Sequence, residues 1–323
     1  MDKPNAAASR SPPARPEIEE GSMFAAPPEI GTKVFARLPD HLRVTKNAVV
    51  RYGHVRDSRL EGPSFDRDGN LWCVDIAYGR IFRISPDGEF TVVCQYDGNP
   101  NGLKIHADGR IFVADYKRGL MLLDPASGAI RPLLEFSPLE RFRGLNDLIF
   151  ARNGDLYMTD QGESGLQSAT GCLYRLRATG QLDRVLDNIP SPNGLVLTPD
   201  ERILYLAVTR GNCVWRVPLD FMDNGAVSRV GVFIQMSGGT GPDGMAMAED
   251  GSLAVAHVGM GTVWLWNKLG EPIARIRSCA GLDTTNVAFG GPDRRSLFIT
   301  ESQTGQILRA ELPVAGLALY SHR

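Results

Sequence analysis

The sequence predicts an all-β chain folded as a six-bladed β-propeller, with four-stranded blades and an N-terminal strand that closes the ring. Three observations carry this. Six stretches, Glu61-Gly-Pro, Asn101-Gly-Leu, Asn146-Asp-Leu, Asn193-Gly-Leu, Asp243-Gly-Met and Asn286-Val-Ala, each put an oxygen-bearing side chain at the head of a strand-length segment. Seven residues after each anchor comes Asp68, Asp108, Asn153, Asp200, Asp250 or Asp293, and then a second apolar run such as Leu71-Trp-Cys-Val or Leu297-Phe-Ile-Thr. The anchors are 40 (61 to 101), 45 (101 to 146), 47 (146 to 193), 50 (193 to 243) and 43 (243 to 286) residues apart, the period of a propeller blade.

In chain order, residues 1–22 are rich in Pro, Ala and charge, bury little, and are expected to be a disordered tail. Residues 23–323 form one propeller domain. Lys33-Val-Phe-Ala-Arg-Leu alternates like a strand but has no partner nearby, so it is assigned to complete the blade begun at the other end of the chain. The first repeat shows four strands, Pro63 to Phe65, Leu71 to Val74, Ile81 to Ile84 and Phe90 to Val93. Four of the six turns read Asp-Gly or Asn-Gly, which suits a type I′ hairpin. The other two, Asp200-Glu-Arg and Asp293-Arg-Arg, read as one residue longer. Gln161 to Thr170 is a polar insertion in blade 3, placed where a loop can shape a site. Helical repeats are excluded, because Gly, Asp and Pro interrupt the chain every eight to twelve residues.

Composition narrows the function classes. Thirty-five basic and 37 acidic residues give a net charge of −2 with no basic block, so nucleic acid is not an expected partner. Five widely spaced cysteines, Cys73, Cys94, Cys172, Cys213 and Cys279, read as small core residues rather than a disulfide framework. No signal peptide and no stretch of 18 apolar residues is visible, which predicts a cytoplasmic protein without a membrane span.

The innermost strand of a blade comes first, so all six anchors should meet at one mouth of the central channel. The returning strands end there with Asp75, Asp115, Asp160, Val208, His257 and Glu301, which predicts a second polar ring. Clustered carboxylates raise one another's pKa and call for a cation. Oxygen donors without a Cys or His cluster suit a hard ion such as Ca²⁺ or Mg²⁺, with positions left for water and substrate. One Asn-Gly alone is ordinary turn chemistry. Turn preference does not explain Glu61 before Gly-Pro.

From about residue 33 onward the chain resembles the SMP-30/gluconolactonase/LRE family, also called the regucalcin family. Glu61-Gly-Pro, Leu145-Asn-Asp, Ser191-Pro-Asn-Gly-Leu and Pro242-Asp-Gly carry the resemblance, in the family's order and on the same blades. The resemblance implies that Glu61, Asn146, Asn193 and Asp243 hold one divalent cation, Ca²⁺ first, with Zn²⁺, Mn²⁺, Mg²⁺ or Fe²⁺ as alternatives. It also implies hydrolysis of a small-molecule lactone, of the aldonolactone or gluconolactone kind. Two residues before the blade-3 Asn, where regucalcin-like members carry Arg, this chain has Gly144, and Arg143 stands one residue earlier.

Lactone opening needs a polarised carbonyl, an activated water and a proton for the leaving alkoxide. Asp243 is the first candidate for general base or acid and His257 the second. Asn101, Asn286 and Arg143 are the candidates for substrate contacts. The alternatives are a phosphotriesterase-like hydrolase on the same metal, or a propeller that binds a metal or metabolite without catalysis. Gly239-Thr-Gly-Pro-Asp-Gly244 is no dinucleotide fingerprint, since no βαβ unit surrounds it, and neither a G-x-S-x-G elbow nor an H-E-x-x-H motif is present.

Overall fold

The computed structural model describes residues 26–322 apart from 47, 52–53, 138–139, 221–226 and 228. The expected tail over residues 1–22 lies outside the described residues. Six antiparallel four-stranded units follow one another in chain order. Blade 1 runs Leu60–Phe65, Leu71–Asp75, Arg80–Ile84 and Phe90–Gln95. The innermost strands of blades 2 to 6 are Pro100–Ile105, Leu145–Phe150, Pro192–Leu197, Gly241–Met247 and Thr284–Gly290. Lys33–Arg37 pairs antiparallel with Gln306–Glu311 as the outermost strand of blade 6, so the two ends of the chain share a blade as expected. Glu29–Gly31 adds a parallel fifth strand to the edge of blade 5. The chain therefore forms a six-bladed β-propeller.

Among the described residues the hydrophobic clusters lie between blades and leave the centre as a channel. Apolar side chains alternate along each strand and pack against the next blade instead. Six hydrophobic clusters result, one in each interface between blades. Leu173, Ile189, Leu195 and Leu206 join blades 3 and 4, whereas Ala254, Val263, Val287 and Leu308 join blades 5 and 6. Cys73, Cys94, Cys172 and Cys213 are buried and free, while Cys279 is exposed and also free. No helix among the described residues is long and apolar enough to cross a membrane.

The hairpins depart from the type I′ geometry read from Asp-Gly. Type I′ needs positive φ at both central residues, but here only the glycine is left-handed, as at Gly69 (φ 82°) and Gly154 (φ 86°). The Gly69 N–H donates to Asp66 O and the Asp66 N–H to Asn70 O, the pattern of a type I turn followed by a bulge. In the two longer turns Glu201 (φ 57°) and Arg294 (φ 55°) take the left-handed position without glycine.

The last described segment of the chain, for which no role was expected, crosses the end of the channel opposite the anchors. The Glu249 N–H donates to Ala315 O and the Leu317 N–H to Met247 O. Tyr320 then stacks on Phe150 at 5.2 Å and meets His106 at 5.0 Å. Arg67 Nε closes the far side by donating to Ser321 O at 2.8 Å.

Candidate active site

Each innermost strand carries a register irregularity at or beside its anchor: between Glu61 and Ser64, Leu145 and Leu148, Pro192 and Leu195, Pro242 and Met245, and Thr284 and Asn286. In blade 2 it lies opposite Ala114 and Asp115, where Gly102 and Pro100 pair and Asn101 is the extra residue. A bulge re-aims side chains and leaves backbone groups without ladder partners. Threonine hydroxyls supply them here. Thr159 Oγ1 accepts from the Asp147 N–H at 3.0 Å and donates to Asn193 O at 2.9 Å, and Thr209 Oγ1 donates to Pro242 O at 2.8 Å.

The glycines after the anchors do more than turn the chain. A β-carbon on Gly62 would lie 2.7 Å from Asn101 O, and one on Gly102 would lie 2.7 Å from both Asn146 O and Asp147 Oδ1. Neighbouring innermost strands approach this closely only with glycine between them. The close approach converges the anchors.

Glu61, Asn146, Asn193, Asp243 and Asn286 are all buried, and Asn101 is partly exposed. Asn286 Nδ2 donates to Glu61 Oε2 at 2.8 Å and lies 3.4 Å from Asp147 Oδ2. Glu61 Oε2 also accepts from the Gly62 N–H at 2.6 Å. Asn146 Nδ2 donates to Gln161 Oε1 at 2.9 Å, and Gln161 Nε2 donates to Ser191 Oγ at 2.8 Å. Asn193 Nδ2 donates to Thr209 Oγ1 at 3.1 Å. Both amide nitrogens are thus engaged within the protein, which leaves the carbonyl oxygens as the ends available to a cation.

Electrostatics points the same way. Burial, reinforced by the nearby Asp147 carboxylate, pushes Glu61 up from about 4.5 to about 7 despite its hydrogen bonds from Gly62 and Asn286. Burial and then the charge of Glu61 push Asp243 well above the usual carboxylate range, against the pull of Arg59. Three buried carboxylates share one end of the channel, and Lys104 Nζ stands 3.7 Å from Asp147 Oδ1. Among the described residues no group of three or more His, Cys, Asp or Glu has metal-holding geometry. The donors that fit a cation are the mixed set of carboxylate and amide oxygens, and that set suits a hard ion.

Asp147 is not among the site residues expected from the sequence. A signal was present, since blades 1, 2, 4 and 5 carry Gly after the anchor and blade 3 alone carries a carboxylate.

The second polar ring does not form. Asp75 pairs with Leu60 and Asp160 with Leu145, each beside the residue before an anchor. Their side chains hold loop backbone instead. Asp75 accepts from the Arg59 N–H and forms a buried ion pair with Arg80. Asp115 accepts from the Lys117 and Arg118 N–H groups, both at 2.7 Å. Asp160 serves the N–H groups of Arg143 and Gly144, and Glu301 those of Gln303 and Thr304. Buried loop N–H groups need acceptors, and this need outweighs the channel's.

His257 is buried, with Nδ1 accepting from Trp264 Nε1 at 3.2 Å and Nε2 placed 2.9 Å from Gly238 O. That pairing sets the neutral tautomer with the proton on Nε2, and burial lowers the ring's pKa. Arg143 donates to Thr170 O at 2.9 Å and to Glu140 at 3.2 Å, with its side chain 39% exposed.

The comparisons agree with this architecture. The model of the SMP-30/gluconolactonase/LRE-like region matches residues 60–303, which contain all six anchors. A lactonase drp35 of Staphylococcus aureus (strain bovine RF122 / ET3-1) is 31% identical over 228 residues, covering 68% of this chain and 69% of that protein. The structure of a calcium-binding protein, regucalcin, from Agrobacterium tumefaciens superposes with a TM-score of 0.74 at 25% identity, covering 92% of this chain and 99% of that one. A gluconolactonase from Xanthomonas campestris superposes with a TM-score of 0.69 at 25% identity over 87% and 98% of the two chains. On its family match and its repeat architecture, this chain belongs to the SMP-30/gluconolactonase/LRE-like family.

Proposed function

We propose that the protein is a divalent-metal-dependent lactonase, acting on an aldonolactone or a related small ring ester. The observation that carries the reading is the buried ring at the channel mouth, where burial and then repulsion among neighbouring carboxylates raise the pKa values of Glu61 and Asp243. The name of the Staphylococcus aureus relative supports lactone hydrolysis, and that of the Agrobacterium tumefaciens structure supports calcium. Glu61, Asn146, Asn193 and Asp243 would hold the ion. When bound, the ion polarises the lactone carbonyl and acidifies water.

The chain's own residues do the rest. The Asp243 carboxylate accepts a proton from the attacking water and returns it to the ring oxygen as the ester bond breaks. Asn193 is tied to the backbone just before that carboxylate, since its amide nitrogen donates to Thr209 Oγ1 and Thr209 Oγ1 donates to Pro242 O. Asn286, whose amide nitrogen spans Glu61 and Asp147, offers its carbonyl oxygen to the substrate's hydroxyls, and the partly exposed Asn101 offers its amide. His257 is the second candidate for moving the proton, which requires it to release Gly238 O or Trp264. Arg143 reaches substrate by releasing Glu140.

The test is turnover on glucono-, galactono- and xylonolactone before and after chelation, with Ca²⁺ restored in a third arm. Activity that vanishes on chelation and returns with Ca²⁺ is expected. Equal rates in stripped and loaded protein overturn the metal-dependent reading, and metal uptake without turnover on any ester makes the protein a binding propeller.

A further inference from the structure

Behind the acidic ring the channel holds a cavity of different chemistry. Three residues after each anchor, the innermost strands line it with Ser64, Lys104, Ile149, Val196, Ala246 and Phe289. Four of these are apolar. The two polar ones occupy equivalent positions on neighbouring blades 1 and 2, so a hydroxyl and an ammonium share one wall. Leu317–Tyr320 of the C-terminal segment line the far end, together with Met245 and Met247.

Ser64 is 0% exposed, and its Oγ has no hydrogen-bond partner. A buried unpaired hydroxyl costs about 1–3 kcal/mol, so a native protein that keeps one has a reason for it. Lys104 Nζ donates to Leu103 O at 3.2 Å and faces Asp147 at 3.7 Å. An ammonium has three donors, which leaves one for the cavity. About 70 Å³ of the cavity is open to the centre of a water-sized molecule. At roughly 10–15 Å³ per water this holds about five waters, or a molecule of about six heavy atoms. Water needs two to four polar partners each, and the apolar side of the cavity has none to give.

We propose that this cavity is a second ligand site, which binds a short-chain monocarboxylate. The carboxylate accepts hydrogen bonds from Ser64 Oγ and Lys104 Nζ, and the hydrocarbon chain lies against Ile149, Val196, Ala246 and Phe289. Two donors, one of them cationic, among inner-strand positions that are otherwise apolar match one anionic head on an apolar body. Arg152 and Glu201, which also line the cavity, face each other at 3.8 Å. Sugars and phosphates carry too many polar groups for that wall. The site goes beyond the lactonase reading and does not depend on it, because the ring above attracts cations and this cavity an anion.

The test uses the full chain, loaded with Ca²⁺ and also chelated, with methionine methyls labelled for NMR and assigned through Met245→Leu and Met247→Leu. Acetate, butyrate, octanoate and butanol are titrated. Butyrate, with about six heavy atoms, should shift the Met245 and Met247 methyls saturably with a millimolar or tighter Kd. Acetate and butanol should bind more weakly, and octanoate should not fit. Ser64→Ala and Lys104→Met should each weaken butyrate about tenfold or more. Ala246→Leu should abolish the shifts by filling the cavity, with lactone turnover unchanged. The proposal is overturned if butyrate up to about 50 mM shifts neither methyl, which would make this a water-filled cavity only. It is equally overturned if the shifts survive Ala246→Leu, or if butanol binds as tightly as butyrate. Should Lys104→Met not fold, Ser64→Ala and Ala246→Leu decide alone.

Discussion

Glu61 offers the sharpest test of the acidic ring, because its carboxyl is fully buried and its pKa is raised to about 7 from an ordinary value near 4.5. Between those values the folded chain keeps a proton that the unfolded chain has lost. The associated stability is therefore fully present below about pH 4.5 and is lost as pH rises through about 7. At about 1.4 kcal/mol per pH unit, that interval corresponds to ~3 kcal/mol. Asp243 is pushed the same way, partly by Glu61, so removing the Glu61 charge also eases Asp243. The measurement is urea unfolding with chelator present, on wild type and Glu61→Gln, from about pH 4.5 to 8. Relative to the variant, the wild type should lose ~3 kcal/mol or more across that range. Added Ca²⁺ should reverse the trend, with binding that tightens by up to about tenfold per pH unit below 7, since the ion displaces the proton. Parallel pH profiles for the two proteins would refute the reasoning.

Three further outcomes follow from the same geometry. Asp243→Asn should lower lactone kcat by about 10²-fold or more while leaving chelated stability undiminished, and retained turnover would remove Asp243 from the mechanism. Asp147→Asn should weaken Ca²⁺ by about 10-fold or more in calorimetric titration, because one buried charge leaves the ring; unchanged affinity would make Asp147 a wall residue. Asp75→Ala should cost about 3–5 kcal/mol in unfolding free energy, since it leaves Arg80 buried without its carboxylate and strands the Arg59 N–H. A loss under about 1 kcal/mol would return Asp75 to the channel side of the account.

Much of the fold was legible because a propeller repeats its grammar. An anchor, a turn seven residues later and a second apolar run recur six times, so each copy checks the others. The N-terminal strand was legible for a related reason: Lys33–Arg37 alternates like a strand but has nothing local to pair with. The turn type was less legible. Asp-Gly suits both a type I′ hairpin and a type I turn with a left-handed glycine, and strand twist and loop length choose between them. The second polar ring failed for a different reason. A carboxylate at a strand end reads the same whether it faces the channel or caps a loop, and only the pairing partner tells them apart. Asp75 and Asp160 stand opposite Leu60 and Leu145, so their oxygens meet loop N–H groups first.

By itself the sequence determined the blade count, the strand order and the anchor positions, because these follow from a periodicity local enough to read along the chain. It also determined the type of donor at the channel mouth, since oxygen chemistry is written in the side chains. Tertiary structure decided which of those oxygens meet. Glycine between neighbouring strands, a bulge at each anchor and threonine hydroxyls on the freed backbone bring Glu61, Asp147 and Asp243 to one end of the channel. It also decided that the C-terminal segment lines the far end of the channel and that Ser64 and Lys104 share a wall. Those are relations between residues far apart in sequence, and the packing of neighbouring blades sets them.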